Sequence, residues 1–156
     1  MRVLAVDPGY DRAGVAVLER ASTGERLIYS ACIETDKSES LPERLHKLGT
    51  EFSHLLQTHE PDCVGIETLF FNKNVKTAVA VAQARGVLIY LAMTAGCTVY
   101  EFGPQEIKVA VTGYGKSDKA AVINMVQRLI PTAPLDALDD EYDAIAVGIT
   151  CLAHHR

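Results

Sequence analysis

At 156 residues, 48% hydrophobic and 22% charged, the chain is long enough for one good core and too short for two ordinary domains, so residues 1–156 read as a single domain. A formal net charge of −5 weighs against a surface that is basic as a whole. The charge is unevenly spread, however: residues 72–119 carry six Lys and Arg against three acids, so a polyanion has one region in which to be held.

In chain order, Val3 to Val6, Gly14 to Glu19 and Leu27 to Ile33 read as three strands. The turn-forming "DPGYD" and "ASTGE" connect them closely enough for an antiparallel meander. In "LPERLHKLGTEFSHLLQTH", Leu41, Leu45, Leu48, Phe52 and Leu55 recur at spacings of three and four, which predicts an amphipathic helix. "CVGIE" is a short buried strand, a second helix covers roughly Val75 to Met93, and "CTVYEF" is a fifth strand. A short helix near Gln105 to Val111, the Gly-rich loop "TGYGKSDK", a helix through Ala120 to Leu129 and a last helix from about Asp139 to Leu152 follow, with His154 and His155 in a tail. The pattern predicts an α/β fold: a mixed five-stranded sheet with helices on its faces.

Cys32, Cys63, Cys97 and Cys151 include no C-x-x-C pair and no companion histidines at zinc-ligand spacing, which points to small core residues in a reducing compartment. Asp7 interrupts the first apolar run, so no secretory leader is read. No uninterrupted stretch approaches the ~18 to 20 residues that span a bilayer, so the expectation is a cytoplasmic protein with no membrane contact.

Two strands end on acids, Asp7 and Glu67. Ligands of such sheets gather beyond the carboxyl ends of the strands, so the two acids could share a site. Asp7 alone would also suit a turn before Pro8-Gly9. Asp140 and Asp143 are three residues apart on one face of the last helix, while Asp139 and Glu141 suit the helix dipole. Four converging carboxylates cannot all ionise without a counter-charge. Oxygen-only ligands select hard cations, Mg²⁺ or Mn²⁺. Two such ions ~3.5 to 4 Å apart serve phosphodiester hydrolysis, so the inferred chemistry is a metal-dependent nuclease.

The ordered motifs resemble those of the RuvC family of Holliday-junction resolvases along nearly the whole chain. They are "DPG" with a following Gly-x-x-V, "IE" followed by Phe70, "KN" then "AQARGV", P-x-x-I-K, G-x-G-x-x-x-K and the closing D-x-x-D-A-x-A. The resemblance implies an RNase H-like fold, a homodimer, and a four-carboxylate site that uses Mg²⁺, two ions per site with Mn²⁺ able to substitute. It implies paired nicks in opposing strands of four-way junction DNA during recombination and repair. Matched motif by motif, the catalytic and metal-binding acids are Asp7, Glu67, Asp140 and Asp143; some members have His where Asp140 stands. Phe70 falls on the aromatic that contacts unstacked bases, and Lys108 and Lys119 on phosphate-facing lysines. Lys73, Lys76, Arg85 and Lys116 would extend that track. Of the adjacent pair, Phe71 is expected to face inward. A RuvA/RuvB-type junction-binding and branch-migration complex is the implied partner.

The helix beginning at Val75 is apolar nearly all round, which predicts burial on two sides, against the sheet and against a second subunit. Three other readings compete. An actin-type or sugar-kinase ATPase shares the "DPG" strand end but needs a second such domain. A non-cleaving junction-binding protein usually lacks acids that are all present here. Another RNase H-like nuclease, acting on hybrid or branched nucleic acid, shares the chemistry.

Overall fold

A computed structural model describes residues 1–22, 24–68 and 75–155, with the backbone alone at 75 and 76. Its strands are β1 (Arg2–Asp7), β2 (Arg12–Ala21), β3 (Gly24–Glu34), β4 (Cys63–Glu67) and β5 (Thr98–Phe102). They form one sheet in the order β3-β2-β1-β4-β5. β1 runs antiparallel to β2 and parallel to β4, and β4 parallel to β5. The helices are α1 (Leu41–His59), α2 (Val75–Thr94), α3 (Pro104–Thr112), α4 (Lys119–Leu129) and α5 (Asp139–His154). The mixed sheet and helix order match the expectation from the sequence. The last helix runs further than read there: it includes His154, whose ring meets Phe102 edge-on, and His155 lies against Tyr100.

Both faces of the sheet are covered, and this is why β1 reads as a continuous apolar run rather than an alternation. Val3 and Ala5 join Leu18, Ile145 and Leu152 in one core, while Leu4 and Val6 join Phe52, Ile66 and Leu88 in the other. A fully buried Leu or Phe contributes roughly 1.5–3 kcal/mol. α1 and α2 cover one face, and α3, α4 and α5 the other.

Local chemistry sets the helix ends. At the start of α1, Ser40 N–H and Oγ both donate to the Glu43 carboxylate at 2.8 and 2.7 Å, the reciprocal acid of a capping box. Asp118 caps α4 by accepting from Ala121 N–H at 2.8 Å. The turn after Asp7 is tied to α1 by the buried Arg44. Its guanidinium donates to Thr35 Oγ1 at 2.9 Å, pairs with Asp11 and lies over the Tyr10 ring, 4.8 Å from its centre.

α2 corrects one expectation. Its Thr77–Thr94 segment is long and apolar enough, by length and composition, to cross a membrane; the single charge of Arg85 does not break it. Ala80, Ala84, Leu88 and Ala92 nevertheless face the core, while Val79, Tyr90 and Met93 are exposed, Tyr90 at 69%. α2 thus buries one face in the core and leaves an apolar outer face, and a groove of about 1090 Å³ runs between it and α1.

Candidate active site

Register brings the first two acids together. Val6 of β1 is paired with Ile66 of β4, so the next residues, Asp7 and Glu67, end adjacent parallel strands side by side. Neither can point into an apolar core, and both sit half-buried at the strand ends. Their carboxyls face each other closely enough that the contact raises Asp7 and lowers Glu67.

The other two acids come from the start of α5, Asp140 in its first turn and Asp143 just beyond it. That turn lies directly on β2: a Cβ added at Gly14 would overlap the Asp140 carbonyl oxygen. One small residue thus lets the helix approach until its carboxylates face the ends of β1 and β4. Asp7 responds to all three other acids. Burial, then Glu67, Asp143 and Asp140 raise its carboxyl from the ordinary 3.8 to about 8. Burial and then Asp143 raise Glu67, and burial raises Asp143 against the pull of Lys119. The four predicted acids therefore form one electrostatic unit, built from three elements distant in sequence.

Two cations already sit among them. Arg12, at the head of β2, pairs through Nε with Asp140 Oδ2. Lys119 Nζ, at the start of α4, bridges Asp143 Oδ2 at 3.1 Å and Asp139 Oδ2 at 3.2 Å. Burial works against the Lys119 ammonium, and its bonds to Asp143 and Asp139 outweigh that and raise it. Among the described residues no three Asp, Glu, His or Cys side chains form a ready-made ligand set. The donor set still fits a hard divalent cation. It is all oxygen, and its mutual repulsion, which raises Asp7, is offset in part by two side-chain cations, the job a metal ion would do.

Lys108 and Lys119 line a cleft of about 220 Å³ with Glu67 and Asp143, and both lysines pull Glu67 downward. Lys116 is exposed in the loop before α4. Phe70, Phe71 and Lys73, and the side chain of Lys76, lie outside the described residues. Arg85 has an internal role: it pairs with Glu101 and donates from Nε to the Glu67 carbonyl at 3.4 Å, steadying the strand end. Sequence reasoning left Asp139 and Glu141 to the helix dipole, yet Asp139 also holds Lys119, and Glu141 accepts from Ser30 Oγ at 2.5 Å. It missed Arg12 altogether. The signal for Arg12 was a lone cation five residues beyond Asp7, its partner being 128 residues away.

The profile of one protein family, described as crossover junction endodeoxyribonuclease RuvC, matches residues 3–151. A crossover junction endodeoxyribonuclease RuvC from Thermosipho melanesiensis is 42% identical over 153 residues, 98% of this chain and 97% of that protein. Its counterpart from Brevibacillus brevis is 39% identical over 150 residues, 96% of this chain and 90% of the other. Among solved structures, Thermus thermophilus RuvC in complex with a Holliday junction substrate superimposes with a TM-score of 0.93 at 27% identity, covering 100% of this chain and 95% of that one.

Proposed function

Because the chain belongs to the crossover junction endodeoxyribonuclease RuvC family, a family of metal-dependent Holliday-junction resolving endonucleases, we propose that Asp7, Glu67, Asp140 and Asp143 carry its phosphodiester cleavage. The observation that supports this most is Asp7: burial, and then the acids of β4 and α5 beside it, raise its carboxyl to about 8. The alternatives read from the sequence, a nuclease for hybrids and a non-cleaving junction binder, are not favoured by relatives that match over nearly the full chain.

The ion is proposed to be Mg²⁺, two per site, with Mn²⁺ able to substitute, held by the four acids. When bound, such ions supply an activated water and offset charge on the leaving oxygen. The chain's own residues do the rest. Asp7 and Glu67, fixed on rigid strand ends, set the floor of the site, and the α5 acids close it from one side. Asp7 must give up its proton, and Lys119 must loosen from Asp143, before the four acids can act together. Lys108 and Lys119 on the cleft wall hold phosphates of the cut strand without reading sequence. Phe70 is proposed to stack on or wedge beside an unstacked base, and Lys73, Lys76 and Lys116 to extend the phosphate track.

Residues 1–156 are proposed to act as a single nuclease domain in a cytoplasmic homodimer. Pairing would go through the apolar outer face of α2, where Val79, Tyr90 and Met93 are exposed, and would set two sites on opposed strands. A RuvA/RuvB-type complex is the proposed partner.

The test is cleavage of a synthetic four-way DNA junction, a plain duplex and an RNA–DNA hybrid, with and without Mg²⁺, by protein whose mass is read by light scattering. Symmetric junction nicks that need Mg²⁺, from a species of twice 16.9 kDa, are expected. Preferential cutting of the hybrid, or a monomeric mass at working concentration, would refute the corresponding part of the reading.

Lys119→Ala is expected to weaken junction binding and to flatten its salt dependence, by about 0.9 in the slope of log K against log salt for each phosphate no longer neutralised. A weaker complex with the native slope would assign Lys119 to holding Asp143 alone.

A further inference from the structure

We propose that Arg12 is a built-in counter-ion of Asp140 that a divalent cation must displace, so that it sets how much metal the site requires. The inference rests on the four-acid reading above and adds a residue to it.

The two partners are anchored at the same place. Arg12 opens β2, and two residues on, Gly14 carries the backbone of Asp140 against it. Backbones on both sides of the ion pair are therefore fixed, and only the side chains are free to part. They can do so: Arg12 is 41% and Asp140 26% exposed, so water replaces either partner readily. Arg12 reaches Asp140 from a cleft of about 440 Å³ that it shares with Gly9, Tyr10 and Lys37, a cleft distinct from the one that holds Lys108 and Lys119. Lys119 engages Asp143 and Asp139 from that second cleft.

A carboxylate committed to a guanidinium cannot ligate a metal ion until the pair opens. The apparent metal affinity is then the intrinsic one reduced by the fraction of molecules in which Asp140 is free. Arg12 acts through Asp140 and is a positioning residue. In the metal-free protein it offsets part of the repulsion among the acids; in the metal-bound protein that task has passed to the ion, and Arg12 is released.

The probe is Mn²⁺ alone, titrated into native protein, Arg12→Gln, Arg12→Lys and Asp7→Asn, with free Mn²⁺ read by electron paramagnetic resonance and the melting temperature of each metal-free protein recorded. Arg12→Gln is expected to bind Mn²⁺ with a midpoint roughly two- to fivefold lower than native, the scale of an exposed ion pair. Arg12→Lys, which keeps the charge, is expected to return close to the native midpoint. A packing role for Arg12 would lower the melting temperature without improving Mn²⁺ binding, and that result would overturn the proposal. A midpoint for Arg12→Gln equal to or above native, with Asp7→Asn still weakened, would overturn it too while leaving the four acids in place. Native-like Mn²⁺ binding by Asp7→Asn would instead fail the four-acid reading and take the Arg12 proposal with it.

Discussion

Asp7→Asn is expected to lower junction cleavage by about a hundred- to a thousandfold, the scale of losing a principal electrostatic group of an active site, while junction affinity changes little. It is also expected to raise the melting temperature of the metal-free protein at pH 8. Both effects follow from one crowded site. The Asp7 carboxyl titrates at about 8 in the folded chain against an ordinary 3.8, so between those values the folded state holds a proton that the unfolded state has released. Stability then falls as pH rises from about 4 to about 8. The stabilising contribution of the proton is complete below the lower value and lost above the upper one. Asparagine mimics the protonated acid at every pH and can still donate to Glu67, so the variant escapes this loss. Melting curves in chelator at pH 4 and pH 8 check it: the two proteins should melt together at pH 4 and separate at pH 8, the variant higher. Added Mg²⁺ should stabilise the native protein and leave Asp7→Asn nearly unmoved. A native protein that melts higher than the variant at pH 8 in chelator would mean that the four acids are not crowded. Lost junction binding would mean that the change had damaged more than the cleavage chemistry.

Much of this site was legible in the sequence because its parts lie where local rules speak. A strand that stops on Asp7, a second that stops on Glu67 and two acids one helical turn apart are each visible in a few residues. The parallel pairing of β1 with β4 then follows from the helix between them. The pairing of Arg12 with Asp140 was not legible, because it joins positions 128 apart in sequence and no local pattern marks it. The same holds for Arg44 of α1, which is buried against Tyr10, Asp11 and Thr35 with no local pattern to mark it. α2 shows the opposite case. Its apolar circumference was evident, but an apolar face reads alike whether it meets a sheet, a lipid or a second subunit. Only the packing of Ala84 and Leu88 separates the inner face from the outer one.

The second large effect is expected from a residue that carries no chemistry. Gly14→Ala should destabilise the protein by about 3 kcal/mol, at the upper end of the usual cost of overpacking. It should also reduce cleavage by about a hundredfold or more even well below the melting temperature, since misplacing the acids by ~1 Å is enough for that. The reason is steric. The added Cβ would overlap the Asp140 carbonyl oxygen and carbon, with Glu141 N beyond them at 3.2 Å. These are backbone atoms, which cannot swing aside as a side-chain tip does. Backbone strain at position 14 is not the cause, because the glycines with positive φ among the described residues are Gly24, Gly96 and Gly113. Relief requires the start of α5 to lift from β2, and Asp140 rides on its first turn with Asp143 just behind it. The rest of α5 stays held by Val147, Cys151 and Leu152 in the core, so the helix should tilt rather than detach and the fold should survive. Calorimetry, with circular dichroism to show an intact fold, measures the first effect. Single-turnover cleavage at about 20 °C, where the folded state dominates, measures the second. A variant that melts within a degree or two of native and cuts at the native rate would mean that α5 does not rest on Gly14. In that event the convergence of its acids with Asp7 and Glu67 would need another cause.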